Sequence, residues 1–311
     1  MLRNALLYLS SQPKVFSFVR HNRMARGFAS RFVAGETLDT ALDAVKKLNA
    51  KGTSASLDLL GESVHNEKEA RDSAGQYIQI LDRIKRSGLD ANVSVKLTAM
   101  GLDVGEELCI ANMQDILERA REHETFVRLD MEGSDYTQKT LDIFYNRLFP
   151  SYRGNVGIVL QSYMYRALSD VEQANAAGVR VRICKGAYME PASVAYPDKK
   201  DVDDSYLRCM RALLLDGHYP GIATHDERMI RETKVFAREN QIPSSRFEFQ
   251  MLYGVRRDLQ EKLVREGYRL RVYVPFGTQW YPYLMRRLAE RPANVAFITG
   301  NVLKEMVGRG G

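Results

Sequence analysis

Eight short apolar runs rich in β-branched residues recur along the chain, separated by longer segments with helical spacing. Each run ends at, or just before, a polar side chain. Strands that alternate with helices are typical of repeated βα units and a parallel sheet. Eight units predict a TIM-like α/β fold, a closed (βα)8 barrel whose active site lies where the strands end. The runs cover residues 56–60, 93–97, 126–132, 156–161, 179–185, 222–225, 247–252 and 270–275.

The spacing of apolar residues and the positions of proline and glycine predict helices, a loop and a turn between these runs. One helix is predicted to begin after Thr37 and another to span residues 106–122, because apolar residues recur there at three- and four-residue intervals. Two prolines and many charges in residues 189–204 predict a long loop after the fifth strand. A turn at Gly277 leads into a final helix, which we expect to lie over the mouth of the barrel. A length of 311 residues suits one barrel domain, residues 36–311, preceded by a helical arm, residues 1–35.

The net charge of +6 is unevenly distributed, because no acidic residue precedes Glu36 while several arginines do. This basic arm is open to three interpretations: helices with a solvated basic side, a mitochondrial presequence, or a surface that attracts anionic lipid. Nucleic acid is not an expected partner, because no recognised binding motif is present. The mean hydropathy of −0.34 and the lack of a long apolar run predict a soluble protein. Three widely spaced cysteines favour a reducing, cytoplasmic compartment.

Polar side chains at the strand ends supply the candidate chemistry of the mouth. They comprise several cations, an acidic pair and one histidine, namely Glu62, Lys96, Asp130, Glu132, Gln161, Arg182, Lys185, His225, Gln250 and Tyr273. We predict no metal site, because a single histidine and a few carboxylates make a poor ligand set. A Schiff-base aldolase built on Lys96 or Lys185 stays open, since a desolvated lysine can lose its proton and become a nucleophile.

Two adjacent arginines, Arg286 and Arg287, lie in the predicted last helix. Neighbouring helical side chains diverge by about 100°, so both guanidinium groups can reach one small anion only if the helix lies close over the mouth. They would then offer fork-shaped donor pairs to a carboxylate. Glu290, one turn further on, can hold a guanidinium in place. The alternative is a solvated pair that the helix dipole favours.

Eight short motifs occur in order along the predicted barrel. They are Ser-Val-Lys-Leu-Thr at 94–98, Arg-Leu-Asp-Met-Glu at 128–132, Val-Leu-Gln-Ser-Tyr at 159–163, Arg-Ile-Cys-Lys-Gly-Ala-Tyr at 182–188, Ala-Thr-His-Asp at 223–226, Phe-Glu-Phe-Gln-Met-Leu-Tyr-Gly at 247–254, Tyr-Val-Pro-Phe-Gly at 273–277 and Arg-Arg-Leu-Ala-Glu at 286–290. Together they resemble the proline dehydrogenase family, and most closely its compact, monofunctional bacterial members. The resemblance extends over nearly the whole predicted barrel.

The resemblance implies an FAD-dependent enzyme that oxidises L-proline to 1-pyrroline-5-carboxylate, the first step of proline catabolism to glutamate. A hydride would pass from proline C5 to flavin N5, and the electrons would go on to a membrane quinone. The chain lacks Gly-x-Gly-x-x-Gly, which suits a family whose flavin lies on a barrel mouth rather than in a Rossmann fold. The resemblance also suggests 1-pyrroline-5-carboxylate dehydrogenase as a partner. Peripheral contact with the inner face of the membrane is open for a cytoplasmic protein of this kind.

Motif position assigns roles to individual residues, as the resemblance implies them. Asp130 and Arg182 would be catalytic, with the positive charge of Arg182 stabilising the anionic reduced flavin. The proline pocket would comprise Lys96, Asp130, Leu252, Tyr273, Arg286, Arg287 and Glu290. FAD would be held by Met131, Gln161, Arg182, Lys185, Gly186, Ala187, Thr224 and His225.

Two pairings are expected within this site. Lys96 and Asp130 are expected to form an ion pair beneath the substrate, although a purely structural buried pair is the alternative. Glu62 resembles a family carboxylate that pairs with the first arginine of the last motif. We therefore expect Glu62 and Arg286 to form a gate that closes the site.

Other assignments also have alternatives. Tyr273 could be a core aromatic residue, and His225 an isolated core histidine rather than a contact of FAD. Met189 stands where larger family members often carry tryptophan, which leaves flavin stacking at that position open. For the whole chain, the alternatives to a flavoenzyme are the lysine aldolase and a catalytically inactive barrel that acts as a binding partner.

Overall fold

The structure, a computed structural model, describes residues 30–61 and 64–290, and of residues 286–290 it describes only the backbone. Eight parallel strands follow one another in chain order around a closed barrel, in which the first strand also pairs with the last. The predicted (βα)8 barrel is therefore confirmed. Residues 1–29, most of the predicted basic arm, lie outside the described residues, so the arm remains a prediction.

Each strand overlaps one of the predicted apolar runs. The strands are β1 (Ser54–Leu59), β2 (Ala91–Val95), β3 (Val127–Leu129), β4 (Val156–Gln161), β5 (Arg180–Cys184), β6 (Gly221–Ala223), β7 (Glu248–Leu252) and β8 (Leu270–Phe276). Because all eight run in the same direction, their carboxyl ends meet at one mouth, as expected for this architecture.

One helix precedes the barrel and one follows each strand. The helices are α1 (Leu38–Asn49), α2 (Glu67–Ser87), α3 (Glu106–Glu122), α4 (Ser134–Ile143), α5 (Ala167–Ala177), α6 (Lys199–Asp216), α7 (Glu227–Glu239), α8 (Arg257–Arg265) and α9 (Trp280–Glu290). After α4 the chain continues through a π-helical turn, Phe144–Leu148, and a single helical turn, Phe149–Tyr152. The predictions for α1 and α3 are confirmed. Within the described ranges, no helix has the length and apolar character needed to span a bilayer.

The segment after β5 differs from its prediction. Residues 189–204 were expected to form a loop, but α6 begins at Lys199. Pro197 lies just before the helix, where it breaks no helical hydrogen bond. Lys199 and Asp203, four residues apart on one helical face, form an ion pair with an N···O distance of 2.5 Å. The charges that suggested a loop therefore belong to the first turn of a helix.

The two faces of the barrel differ sharply in polarity. Outward-facing residues such as Ile158, Val181 and Val272 are fully buried in the hydrophobic layer between strands and helices. The lumen instead contains charged and polar side chains, which are hydrogen-bonded to one another across it. Arg182 on β5 reaches β2 and β7, neither of which is its neighbour in the sheet. Strict alternation along each strand thus separates an apolar shell from a polar interior.

Two glycines make room for large polar side chains inside the barrel. A Cβ atom on Gly157 would collide with the carbonyl oxygen of Arg180 and lie 2.9 Å from Nη1 of Arg128, and one on Gly221 would lie 2.5 Å from Nε2 of Gln250. Neither glycine has a positive φ, so the requirement is for space rather than backbone conformation. Small residues on β4 and β6 therefore accommodate the long polar side chains of β3 and β7.

Candidate active site

Arg182 lies at the centre of the mouth and is held by three other strands. Its Nη1 donates to Asp130 Oδ1 at 2.7 Å, its Nε donates to Gln250 Oε1 at 2.5 Å, and its Nη2 donates to Ser94 Oγ at 3.0 Å. The residue is only 7% exposed. The planar guanidinium fork permits these three directed bonds at once, which a lysine could not reproduce.

Asp130 joins Arg182 to Tyr273. Tyr273 Oη donates to Asp130 Oδ2 at 2.8 Å, while Arg182 bonds the other carboxylate oxygen. The Arg182 guanidinium also lies 5.3 Å from the centroid of the Tyr273 ring, within cation–π range. Burial and the neighbouring Asp130 carboxylate raise the pKa of Tyr273 well above its ordinary value. The phenol therefore stays protonated and acts as a donor.

The predicted Lys96–Asp130 ion pair is wrong. Lys96 Nζ instead lies 3.1 Å from Oδ1 and 3.4 Å from Oδ2 of Asp58, which is the inward-facing residue near the end of β1. Strand β1 pairs directly with β2, so Asp58 lies beside the end of β2. Asp130 instead forms an ion pair with Arg182, whose side chain is longer than that of Lys96. Among the described residues, the mouth therefore contains two separate buried ion pairs, Lys96–Asp58 and Arg182–Asp130.

Gln161, the last residue of β4, has a side-chain oxygen that no described residue uses as a hydrogen-bond acceptor. Its Nε2 donates to the carbonyl oxygen of Met131 at 3.2 Å. Its Oε1 is buried and has no partner among the described residues. A buried polar atom without a partner is costly, and a carboxamide can both donate and accept. Gln161 is therefore prepared to accept one hydrogen bond from a bound molecule.

Lys185 anchors the loop that follows β5. Its Nζ lies 2.5 Å from Oδ1 of Asp203 on α6 and 2.8 Å from Oδ2 of Asp226, the residue that caps α7. Burial tends to raise the pKa of both carboxyl groups, but Lys185 and Lys199 act together against it, and each pKa lies below its ordinary value. Lys185 thus links the starts of two helices to the end of β5.

Thr224 and His225 are fixed at the end of β6. The backbone N–H of Leu252 donates to His225 Nε2 at 2.9 Å, so that ring nitrogen carries no proton. Thr224 Oγ1 accepts a hydrogen bond from the backbone N–H of Asp226 at 3.1 Å. These contacts place His225 against the end of β7, beside Leu252, and not as a core histidine remote from the mouth.

Gly186 turns the chain tightly at the start of the same loop. Its φ of +104° lies in the region that favours glycine, and a Cβ atom there would lie 2.5 Å from the Tyr163 ring. The Tyr163 hydroxyl donates to Glu190 at 3.2 Å, and Glu190 also accepts from the backbone N–H of Ser134 at 2.9 Å. The loop that contains Gly186 and Ala187 is therefore packed against the ends of β3 and β4.

The structure brings most of the predicted site residues to one mouth. Those described there are Lys96, Asp130, Met131, Gln161, Arg182, Lys185, Gly186, Ala187, Thr224, His225, Leu252 and Tyr273. Glu62 and the side chains of Arg286, Arg287 and Glu290 lie outside the described residues, so the gate and the carboxylate clamp stay predictions. The helix that carries the two arginines, α9, does follow β8. Met189 is 58% exposed.

Sequence reasoning placed Gln250, which binds Arg182, at the mouth, but it overlooked two other residues of this network. Asp58 contacts Lys96, and Ser94 contacts Arg182. Each occupies an inward position within a strand and not the position after its end. Polar residues that alternate with apolar ones inside a buried strand were the sign that would have identified them.

A closed barrel with a dense, charge-paired network at the carboxyl ends of its strands defines this chain as a (βα)8-barrel enzyme. Residues 41–300 match the family model described as Proline dehydrogenase. The chain belongs to the proline dehydrogenase family. Family membership sets aside both the lysine aldolase and the inactive barrel.

Named relatives match this chain over nearly its whole length. Proline dehydrogenase 1 of Bacillus subtilis strain 168 is 42% identical over 305 residues, which cover 98% of this chain and 100% of that protein. The proline dehydrogenase of Deinococcus radiodurans is 41% identical over 307 residues, or 98% of each chain. The expected similarity to compact, monofunctional bacterial enzymes is therefore confirmed.

A solved structure supports the fold. Proline utilization A (PutA) from Bdellovibrio bacteriovorus, inactivated by N-propargylglycine, superposes with a TM-score of 0.79 at 28% identity. The match covers 85% of this chain and 32% of that much longer one. This chain therefore corresponds to about a third of the PutA protein.

Proposed function

We propose that this protein oxidises L-proline to 1-pyrroline-5-carboxylate, with FAD as its cofactor and a quinone as the final electron acceptor. The observation that carries the proposal is the triangle of Arg182, Asp130 and Tyr273, which occupies the centre of the mouth in a member of the proline dehydrogenase family. Arg182 and Asp130 are buried and Tyr273 is partly buried, so the triangle offers a positive charge and a phenol in a largely enclosed place, which suits a small zwitterion beside a redox cofactor.

The residues around the mouth fit FAD. Gln161 Oε1 is a buried acceptor without a partner among the described residues, and the N3–H edge of a flavin ring is a donor. Gly186 has no side chain that would project from its tight turn. We assign the binding of FAD to these two and to residues on the neighbouring strand ends, namely Met131, Arg182, Lys185, Ala187, Thr224 and His225.

When bound, FAD would accept the hydride lost from proline C5 and pass the electrons to a quinone. The task of Arg182 is to keep a fixed positive charge at the mouth, which favours a cofactor that becomes more negative on reduction. Asp130 holds that guanidinium in place through Oδ1. Gln250 and Ser94 fix its orientation from two further strands. Electrostatic preorganisation of this kind requires no rearrangement during the reaction.

The proline pocket lies beside this cation. Tyr273 and Leu252, on the paired strands β8 and β7, would pack against the ring, and Lys96 would add positive charge near the carboxylate. We assign the clamp on that carboxylate to Arg286 and Arg287, which α9 carries directly after β8, with Glu290 supporting them. Fixing the carboxylate orients C5 and so turns binding energy into geometry.

Proline must lose its ammonium proton before the hydride can leave, because the nitrogen lone pair expels it. Asp130 already accepts hydrogen bonds from Arg182 and Tyr273, so we assign it to holding these two groups. The proton would go to solvent or to another base. We further propose that Glu62 and Arg286 close the site as a gate. Unchanged KM and kcat for proline in Glu62→Ala would overturn the gate.

The partners follow from the reaction. A quinone dissolves in membranes, so transient contact of a cytoplasmic enzyme with the inner membrane surface would deliver the electrons, and the basic residues before Glu36 suit an anionic lipid surface. The product is a cyclic imine in equilibrium with an aldehyde. An aldehyde-oxidising enzyme, 1-pyrroline-5-carboxylate dehydrogenase, is the partner that would consume it.

A coupled assay tests the proposal. The purified protein, supplied with FAD, is incubated with L-proline and a soluble quinone, and the imine product is trapped with o-aminobenzaldehyde. We expect product and reduced quinone in equal amounts with L-proline, and neither with D-proline as a stereochemical control. Absence of product from a protein that retains its flavin would overturn proline as the substrate.

A further inference from the structure

We infer that Asp58 is a positioning residue for proline oxidation, which holds Lys96 at the mouth and keeps its ammonium charged for the substrate carboxylate. The inference rests on the proposed function and deepens it. Asp58 itself is almost completely enclosed, with a side chain 1% exposed, whereas that of Lys96 is 11% exposed. Asp58 therefore acts on the substrate through Lys96 and does not contact the substrate itself.

The geometry of the pair is fixed by the sheet. Strand β1 lies between β2 and β8, with Ser56 opposite Asn92 on one side and Asp58 opposite Pro275 on the other. One layer below the pair, the hydroxyl oxygens of Ser56 and Ser94 are 3.0 Å apart. The pairing of β1 with both neighbours fixes the backbone that carries Asp58, and the burial of its side chain leaves the carboxylate little room to move away from Lys96.

The charged and titratable groups around Asp58 come from four other elements. Among the described residues they are Lys96 after β2, Asp130 after β3, Tyr273 on β8 and Tyr77 on α2. Burial, assisted by the Asp130 charge, raises the pKa of Asp58 above its ordinary value, and the Lys96 ammonium opposes this shift. The nearby ammonium is thus the main group that favours the carboxylate form.

The stabilisation is mutual. An opposite charge within hydrogen-bond distance favours the charged form of both partners, so the Asp58 carboxylate, 3.1 Å from Lys96 Nζ, favours the ammonium form of Lys96. A neutral Lys96 would remove one positive charge from a pocket that must attract a carboxylate. Asp58 therefore extends the pH range in which the pocket binds proline.

The first test replaces Asp58 by Asn, which keeps the shape and removes the charge. We expect Asp58→Asn to raise the KM for proline about tenfold and to leave kcat within about threefold. The pH at which kcat/KM falls on the alkaline side should move down by about one unit or more, the shift that loss of a close opposite charge produces. Asp58→Glu should largely restore both values.

A double-mutant cycle separates this role from a merely structural one. If Asp58 acts through Lys96, adding Asp58→Asn to a Lys96→Met protein should change KM by less than about twofold beyond Lys96→Met alone. Removing both partners also leaves no unpaired buried charge, so the double variant is expected to fold even if Asp58→Asn alone does not. Asp170→Asn, which neutralises a buried, ion-paired aspartate on α5, is the matched control and should leave the pH profile unchanged.

Three results would overturn the inference. One is an Asp58→Asn protein whose KM and pH profile match the wild type. Another is full additivity of the two substitutions, which would mean that Asp58 acts independently of Lys96. The third is a wild-type protein that does not oxidise proline, which would overturn the proposed function as well. An active wild type with an unaffected Asp58→Asn variant would overturn the inference alone.

Discussion

Tyr273 on β8 donates a 2.8 Å hydrogen bond to Oδ2 of Asp130, which lies just beyond β3 on another part of the barrel wall. The other oxygen of the same carboxylate binds Arg182. One buried carboxylate thus links the residue that we assign to the proline ring with the cation that we assign to the flavin. We therefore expect a substitution of Tyr273 to change the position of Arg182, and a substitution of Arg182 to change that of Tyr273.

Replacing Tyr273 by Phe tests this link. The substitution removes one donor from a buried carboxylate, at a cost of about 1–3 kcal/mol. We therefore expect kcat/KM for proline to fall roughly 5- to 150-fold, with flavin content unchanged. Tyr152→Phe, which removes a hydroxyl bonded to Glu118 away from the mouth, is the control and should stay within about twofold. Equal values for the two variants would contradict the link.

Replacing Gly186 by Ala should disturb the loop after β5. Positive φ alone costs an alanine about 1–2 kcal/mol, and the added methyl group would also collide with the Tyr163 ring. Gly178→Ala is the matched control, because Gly178 has a φ of +70° with nothing near its added Cβ atom. Thermal unfolding should show a larger loss of stability for Gly186→Ala, accompanied by a loss of bound flavin. Equal losses would mean that backbone strain alone matters.

Because of Glu248, the free energy of unfolding of the barrel is expected to depend on pH in the acid range. Burial tends to raise the pKa of Glu248, but Arg271, assisted by Gln250 and Arg128, keeps the pKa below its ordinary value. Because the folded-state pKa is depressed, the stabilisation is complete above the unfolded pKa of about 4.3 and is lost as the pH falls through the folded pKa.

The variant Glu248→Gln isolates this contribution. At pH 7 it leaves Arg271 buried without its ion pair, which should lower the free energy of unfolding by about 3–5 kcal/mol. The difference from the wild type should shrink as the pH falls below about 4. Urea unfolding at several pH values measures both effects. Glu261→Gln, which breaks an exposed pair with Lys51, should change little at any pH. A difference that stays constant with pH would contradict the assignment.

Arg286→Ala and Arg287→Ala test the carboxylate clamp. If the proposed clamp exists, each substitution removes a charge-assisted hydrogen bond worth about 1.5–3 kcal/mol, so KM for proline should rise roughly 10- to 150-fold while the flavin spectrum stays intact. Arg265→Ala, an exposed arginine in the last turn of α8, should change neither. Unchanged KM in both clamp variants would remove these arginines from the pocket.

The barrel was predictable from sequence because its strands have a distinctive pattern. Apolar residues that point toward the helices, such as Val93 and Ile158, give each run its hydrophobic character. The polar residue after each run then follows from the rule that parallel strands end at one mouth. The start of α6 at Lys199 was missed, because prolines and charges at a helix entry look like a loop.

The partners within the mouth were less predictable. Lys96 and Asp130 are close in the order of strands, so a pair between them was reasonable from sequence alone. Which carboxylate each cation reaches depends on side-chain length and on the neighbours that the closed barrel provides. Arg182 is long enough to cross the lumen to Asp130, and β1 places Asp58 beside Lys96. The pairing of cations with carboxylates depends on the folded geometry of the barrel and produces no periodic pattern in the sequence.

The proposed oxidation of proline by bound FAD is tested by an anaerobic visible spectrum of the purified protein with FAD, recorded before and after L-proline is added. We predict flavin absorption that bleaches when proline is added, which would establish the cofactor, the substrate and the direction of electron flow together. Flavin absorption that persists in the presence of proline would contradict the proposed substrate. A colourless protein that cannot be reconstituted with FAD would contradict the proposed cofactor.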